Sequence, residues 1–173
     1  TMEEVETIVG PDGALEAFVE AREQGLVKHL GFSAHTEEAA LALINHYDFD
    51  SILFPINYVT WHQGHFGPAV IARAQSKQMG ILALKTLAKT PWTDGVEHNW
   101  EKPWYSPVDT YEEAQTALRW TLSRPVTACV SPGHAEFLWW MIEAEKELQP
   151  LNEDEEKAIA LSTEGIAPIF PRE

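Results

Sequence analysis

The chain has one cysteine, no long apolar run and far fewer cations than anions. A single thiol, Cys129, permits no internal disulfide and no cysteine-based zinc cluster, so a reducing, cytoplasmic setting is the expectation. No stretch is long enough to cross a bilayer, and the opening residues Thr1 to Gly10 are acidic where an export signal would be basic and then apolar. Lys and Arg number 12 against 27 Asp and Glu, a net charge of −15. A surface that acidic repels phosphate backbones and anionic headgroups, which argues against nucleic acid and membrane as partners. Also absent are a Gly-rich phosphate motif, a Gly-x-Ser-x-Gly elbow and a His-Glu-x-x-His pair, and several hydrolase and nucleotidase classes go with them.

What is present suits a single domain. At 173 residues, 45% hydrophobic and 23% charged, the chain can bury a core and is not disordered. Its opening on Thr1 is read as the mark of a processed product or of a piece of something longer. Ala14 to Leu26 is an amphipathic helix with Leu15, Phe18, Val19 and Leu26 on its apolar face, closed by Gly25. A short extended run, His29 to Ser33, follows, and Thr36 caps a helix through Ala39 to Ile44. Ser51 to Pro55 and Gly80 to Leu84 are continuous apolar runs, as strands covered on both faces require, with a helix from Pro68 to Gln78 between them. Thr90 to Pro107 reads as a long loop rich in Pro and Trp. Thr110 caps a helix from Tyr111 to Ser123, stopped at Arg124-Pro125. Val126 to Val130 is a fourth buried run, followed by helices over Glu136 to Glu147 and Glu153 to Leu161. Regular strand–helix alternation with apolar strands implies an α/β fold with a parallel sheet. Periodicity alone does not separate half of an eight-stranded barrel from an open doubly wound sheet.

Several stretches resemble the C-terminal half of aldo-keto reductases. Gly13-Ala14-Leu15-Glu16-Ala17, Glu23 to Val27 and Gly31-Phe32-Ser33 are similar to the family's helix into its fifth strand. Phe54 to Tyr58 resembles the sixth strand, Gly80 to Ala88 the seventh, and Ala117 to Ser123 with Val130 to Gly133 the seventh helix and eighth strand. Pro150 to Glu155 resembles the opening of the family's closing helix. The resemblance implies a parallel β/α half-barrel of about four βα units plus a C-terminal helix, in one domain spanning residues 1–173. It also implies hydride transfer between NADP or NAD and a small carbonyl substrate. The family's catalytic Asp, Tyr, Lys and His come from the first half of the barrel, so none is assigned here.

By that resemblance Ser33, Asn57, Lys85 and the Pro132-Gly133-His134 turn face the cofactor. Ser33 would hydrogen-bond the nicotinamide carboxamide, although Ala34 stands where the family's Asn would help; alternatively Ser33 and His35 cap the next helix. Asn57 could replace the family's Gln, absent because Pro55 holds that place, or could serve a turn. Lys85 could approach a phosphate as a point charge, or could be a solvated side chain. The backbone after Ser131 can receive a phosphate at a helix N-terminus, but the helix beyond carries no nearby Arg or Lys, so weak binding with little NADPH preference is expected.

His62 and His65 lie three apart in a loop, and with no third ligand in view they read as packing rather than metal binding. Trp92, Trp100, Trp104 and Tyr105 either wall a substrate pocket or tether their own loop. Cys129 reads as inert core.

Two functions share this fold. One is the C-terminal part of an NAD(P)-dependent oxidoreductase. The other is a non-catalytic half-barrel acting as an assembly or ligand-binding module. In either, the first and last strands lack neighbours, and inward side chains such as Leu30, Phe32 and Ile52 lack an opposite wall. The expected outcome is a homo-oligomer or pairing with an N-terminal half.

Overall fold

A computed structural model describes residues 1–95 and 97–170. Its centre is a four-stranded parallel sheet in the order β1 (Gly31–Ser33), β2 (Ser51–Pro55), β3 (Gly80–Leu84), β6 (Ala128–Cys129). Every neighbour pair is parallel, and Gly31, Ser51 and Gly80 lie in one row across the sheet, with Ser33, Leu53, Leu82 and Ala128 in the row two residues on. Gly31 leaves no room for a side chain beside β2: a Cβ there would stand 2.3 Å from the Ser51 hydroxyl.

Helices return the chain between strands: α3 (Glu37–His46) after β1, α4 (Tyr58–Gln63) and α5 (Pro68–Ser76) after β2, and α6 (Tyr111–Leu122) between β3 and β6. Then α7 (Ala135–Lys146) and α8 (Glu153–Ser162) follow β6. Local chemistry fixes their starts. Thr36, Thr110 and Asn152 accept hydrogen bonds from the first-turn amides of α3, α6 and α8, as their sequence positions predict.

The structure adds elements that the sequence pattern did not declare. Ahead of the helix α2 (Ala14–Glu23) lies α1 (Met2–Val9), whose start is a Thr1–Glu4 capping box. The segment with His62 is helical, not a loop: Asn57 caps α4, which is too short for periodicity to reveal. The Trp-rich segment begins and ends in strands, β4 (Ala88–Pro91) pairing antiparallel with β5 (Tyr105–Pro107) across a bulge. The amphipathic reading of α2 needs correction, because Phe18 is 58% exposed and Leu26, past the helix end, is 73% exposed. Gly25 does close it in the left-handed conformation, φ 74°.

The two faces of the sheet differ. Phe32, Ile52 and Ile81 share a row, as do Phe54, Ala83 and Cys129 one step on, and this is the face against the helices. Ile52, Phe54 and Ala83 are fully buried there, within a core that takes in Leu43, Ile44, Val70, Trp120 and Phe137. Leu30 and Ile52, expected on an inward face, belong to this helix side. Ser33, Leu53 and Leu82 alternate with them and are only partly covered or open. The strands are therefore not buried on both faces. Among the described residues no helix is long and apolar enough to cross a membrane.

Candidate functional site

A cleft of about 330 Å³ opens on the less covered face, at the carboxyl ends of the strands. Each strand contributes a wall position: Ser33 from β1, Leu53 from β2, Leu84 from β3 and Val130 just beyond β6. The loops above supply His35, Lys85, Ser131, Pro132, Gly133 and the run Lys102 to Tyr105. In open parallel sheets and barrels alike, side chains from separate strands converge at this end, where backbone geometry lets loops vary without disturbing the core. Larger hollows are less suited. One of about 830 Å³ between α1 and α3 shares Ser33 and His35 with the cleft but is edged by Glu3 and Glu4, and one of about 380 Å³ between α6, α7 and α8 is lined by Arg119 and Glu155.

Ser33, Lys85, Pro132 and Gly133 thus meet in one cleft, although they come from three distant segments. Ser33 is exposed and does not cap α3; Thr36 does, accepting from the Ala39 amide. Lys85 holds a left-handed backbone, φ 65°, which a side chain beyond glycine adopts at a cost of about 1 kcal/mol. That conformation turns the chain out of β3, and the Lys85 ammonium rests 5.3 Å from the Trp104 ring centroid and 5.0 Å from that of Tyr105. Burial pulls the Lys85 pKa below the usual lysine value. His35, beside it, is lowered by burial and then by the charge of Lys85, so its imidazole is favoured neutral. His134 is outside the cleft lining, its Nε2 accepting from the Lys102 amide at 3.3 Å.

Asn57 is placed differently. It is 1% exposed, its Oδ1 accepts from the Thr60 amide at 2.8 Å, and it is outside the cleft lining. The turn role weighed for it from sequence is the one its oxygen performs.

The Trp-rich segment divides its work. Trp104 and Tyr105 wall the cleft. Trp100 packs on Phe137 and Trp140 of α7 and on His134, with centroids 4.4, 6.1 and 5.2 Å away, and its Nε1 donates to Asp109. Trp92 stacks on His98 and donates to the Pro103 carbonyl. Burial pushes the Tyr105 phenol up to about 12, far from the near-neutral value that serves acid–base catalysis. Sequence reasoning did not single out Lys102, and weighed His35 only as a cap. The approach of Lys102 depends on β4–β5 pairing and on Trp100 docking, neither of which a local pattern encodes. Among the described residues no group of three His, Cys, Asp or Glu could hold a metal ion.

No protein-family model and no curated protein matches the chain in sequence. Solved structures do match in fold. An aldo-keto reductase from Bacillus halodurans superposes with a TM-score of 0.61 at 17% identity, over 94% of this chain and 59% of the enzyme. Aldose reductase from Giardia lamblia gives 0.60 at 16%, over 90% of this chain and 51% of that one. Glycerol dehydrogenase from Gluconobacter oxydans gives 0.53 at 17%, over 89% and 55%. The chain therefore has an α/β fold whose four-stranded parallel sheet matches part of an aldo-keto reductase (β/α)8 barrel, and it spans little more than half the length of those enzymes.

Proposed function

We propose that the chain is the C-terminal portion of an NAD(P)-dependent oxidoreductase of the aldo-keto reductase type, acting in the cytoplasm on a small carbonyl substrate. It contributes cofactor-side loops and not the acid–base residues. One observation carries the reading: four of the six residues chosen from sequence as cofactor contacts, Ser33, Lys85, Pro132 and Gly133, line a single cleft at the strand ends. In this reading Ser33 holds the carboxamide end, Lys85 meets phosphate charge, and the turn before α7 offers backbone N–H groups to an anion. Bound NADP or NAD would supply the hydride. The sequence supports the C-terminal half because Gly31 to Ser33, Phe54 to Tyr58, Gly80 to Ala88 and Val130 to Gly133, which resemble the family's later strands in order, fall at the four strands of the sheet in turn.

Titration with NADPH and NADH, followed by tryptophan fluorescence, tests the reading because Trp104 lines the cleft. A saturable, weak response that Ser33→Ala diminishes is expected. Absence of a saturable response to either dinucleotide overturns it.

A second reading is a non-catalytic assembly or ligand-binding module, which the same cleft could serve by holding a ligand without chemistry. It predicts that no first half of a barrel restores turnover when mixed with this chain.

A further inference from the structure

The lysines of the chain sit in different surroundings. Lys77, Lys89, Lys146 and Lys157 pair with Asp48, Glu113, Glu143 and Asp154, while Lys28 and Lys102 are exposed to water. Among the described residues Lys85 alone is a half-buried lysine with no carboxylate at ion-pair distance. Its stem is fixed. Leu84 ends β3, Thr86 and Leu87 are fully buried, and the Lys85 carbonyl accepts from the Ala88 amide at 2.9 Å. That turn presents the side chain to the cleft from a rigid base. The Trp104 and Tyr105 rings hold its nitrogen 5.3 and 5.0 Å from their centroids and offer it no proton acceptor of carboxylate strength. No Asp or Glu lines the cleft, where the other ionisable groups are His35, Lys102 and Tyr105. Burial therefore lowers the Lys85 pKa with no negative charge in the lining to oppose it, and the uncharged amine gains weight.

We infer that Lys85 is a nucleophilic amine that captures an aldehyde with an apolar or aromatic body as an imine. A desolvated lysine beside an apolar pocket is the arrangement that suits this chemistry. The nitrogen lone pair forms the C–N bond as the carbonyl π pair moves to oxygen. Both protons of the amine then pass to that oxygen, through solvent or through the neutral His35 imidazole beside it, and the oxygen leaves as water. No oxidant or reductant is consumed. The walls choose the aldehyde: Leu53, Leu84, Pro103, Trp104, Tyr105 and Val130 enclose most of a volume of about 330 Å³, room for one small ring. The inference goes beyond the cofactor reading, because it uses the uncharged form of Lys85 where that reading uses the charged one.

The test uses the full chain with benzaldehyde and cyanoborohydride at neutral pH. Hydride from the boron reagent reduces the C=N bond to a secondary amine, and mass spectrometry of the peptides reads which lysine carries the benzyl group. Lys85 is expected to be modified roughly three- to tenfold faster than Lys28 or Lys102. Acetylacetone gives a second readout, since it condenses with an amine to a conjugated enaminone that absorbs in the near ultraviolet. Lys85→Arg keeps a cation over the two rings and removes the amine, so the fast enaminone phase should disappear; Lys102→Arg should retain it. Circular dichroism checks the fold of each variant, and if Lys85→Arg does not fold, the lysine mapped in the unaltered chain decides. The ratio of Lys85 to Lys28 modification should be larger with benzaldehyde than with glyceraldehyde. Labelling of Lys85 no faster than Lys28, or a fast phase that survives in folded Lys85→Arg, overturns the nucleophile. Equal ratios for the two aldehydes overturn the apolar ligand class.

Discussion

Arg119 on α6 grips Glu155 on α8 through two parallel hydrogen bonds of 2.7 and 2.9 Å, while two further donors reach the carbonyls of Gln149 and Pro150. One guanidinium thus fixes both the turn before α8 and the helix itself. The Glu155 pKa is lowered, first by the hydrogen bond from Arg119 and then by the amide of Asn152. A depressed carboxylate contributes stability that is present above its unfolded pKa and is lost as pH falls through the folded value. Glu155→Gln should therefore make acid unfolding shallower below about pH 4.5, the ordinary glutamate value, as measured by thermal melts across pH. Arg119→Ala should do the same and also release the turn. An unchanged acid limb in both variants would show that the pair does not hold α8.

Trp120 on the same helix is fully buried between Trp61, His62 and Tyr58 of α4, with centroids 5.6, 5.7 and 6.4 Å away, and Arg124 covers its ring at 4.8 Å. Removing so large a core side chain costs about 3–5 kcal/mol, a large fraction of a domain's stability. Trp120→Ala should lower the urea midpoint sharply or leave the chain unfolded, and Trp120→Phe should lose less. A midpoint unmoved by Trp120→Ala would mean that α4 and α6 are not packed together.

His62 gives a pH signal of definite sign. Its pKa is lowered by burial, then by Arg124, then by His65, and Arg124 is itself paired with Glu156. The unfolded chain therefore binds a proton that the folded chain refuses, and stability falls as pH drops from the ordinary value of 6.5 through the folded value. His35 acts in the same sense, from its own burial and from Lys85. His62→Phe, which keeps the packing on Trp120, should flatten the dependence of the urea midpoint on pH in the window just below 6.5. If the wild-type midpoint does not decline across that window, the histidines are not held neutral.

These relationships were legible in the sequence to unequal degrees. Caps and strands were readable because a single residue or a run of four decides them: Thr36, Thr110 and Asn152 announce helices, and Ser51 to Pro55 announces a strand. The short α4 was not, since six residues carry less than two turns of periodicity. Continuous apolar runs suggested two covered faces, yet Leu53 and Leu82 face the open side, because hydrophobicity reports potential burial and not the presence of a covering layer. In the candidate site, residues next to strand ends could be named from order alone. Lys102 could not, as it reaches Gly133 from 31 residues away.

Catalysis should be absent from the isolated chain. General acid catalysis supplies roughly two to four powers of ten, and Tyr105 is the phenol at the cleft, pushed up to about 12. Incubation with NADPH and simple aldehydes should give no oxidation above a boiled control. Turnover that co-purifies with the chain and disappears with Tyr105→Phe would overturn this assignment of roles.

Self-association should follow from the sheet's two ends. Among the described residues β1 pairs only with β2 and β6 only with β3, so each leaves one row of backbone N–H and C=O groups open to another strand. Beside β6, α7 exposes Leu138, Trp139 and Ile142 at 44%, 65% and 41%. Covering ~400 Å² of such apolar surface is worth on the order of 10 kcal/mol at ~25 cal/mol/Å², comparable to the stability of a whole domain. Two copies about an axis parallel to the strands would place β6 of each beside β1 of the other, closing eight parallel strands with no free edge. The net charge of −15 on each copy opposes this, and its reach shrinks to ~8 Å at physiological ionic strength. Light scattering after size exclusion should therefore show a dimer that strengthens with added salt, and Trp139→Glu should shift it toward monomer. A cooperatively melting monomer at all salt concentrations would mean that the open edges and the α7 stripe are stable in water as they stand.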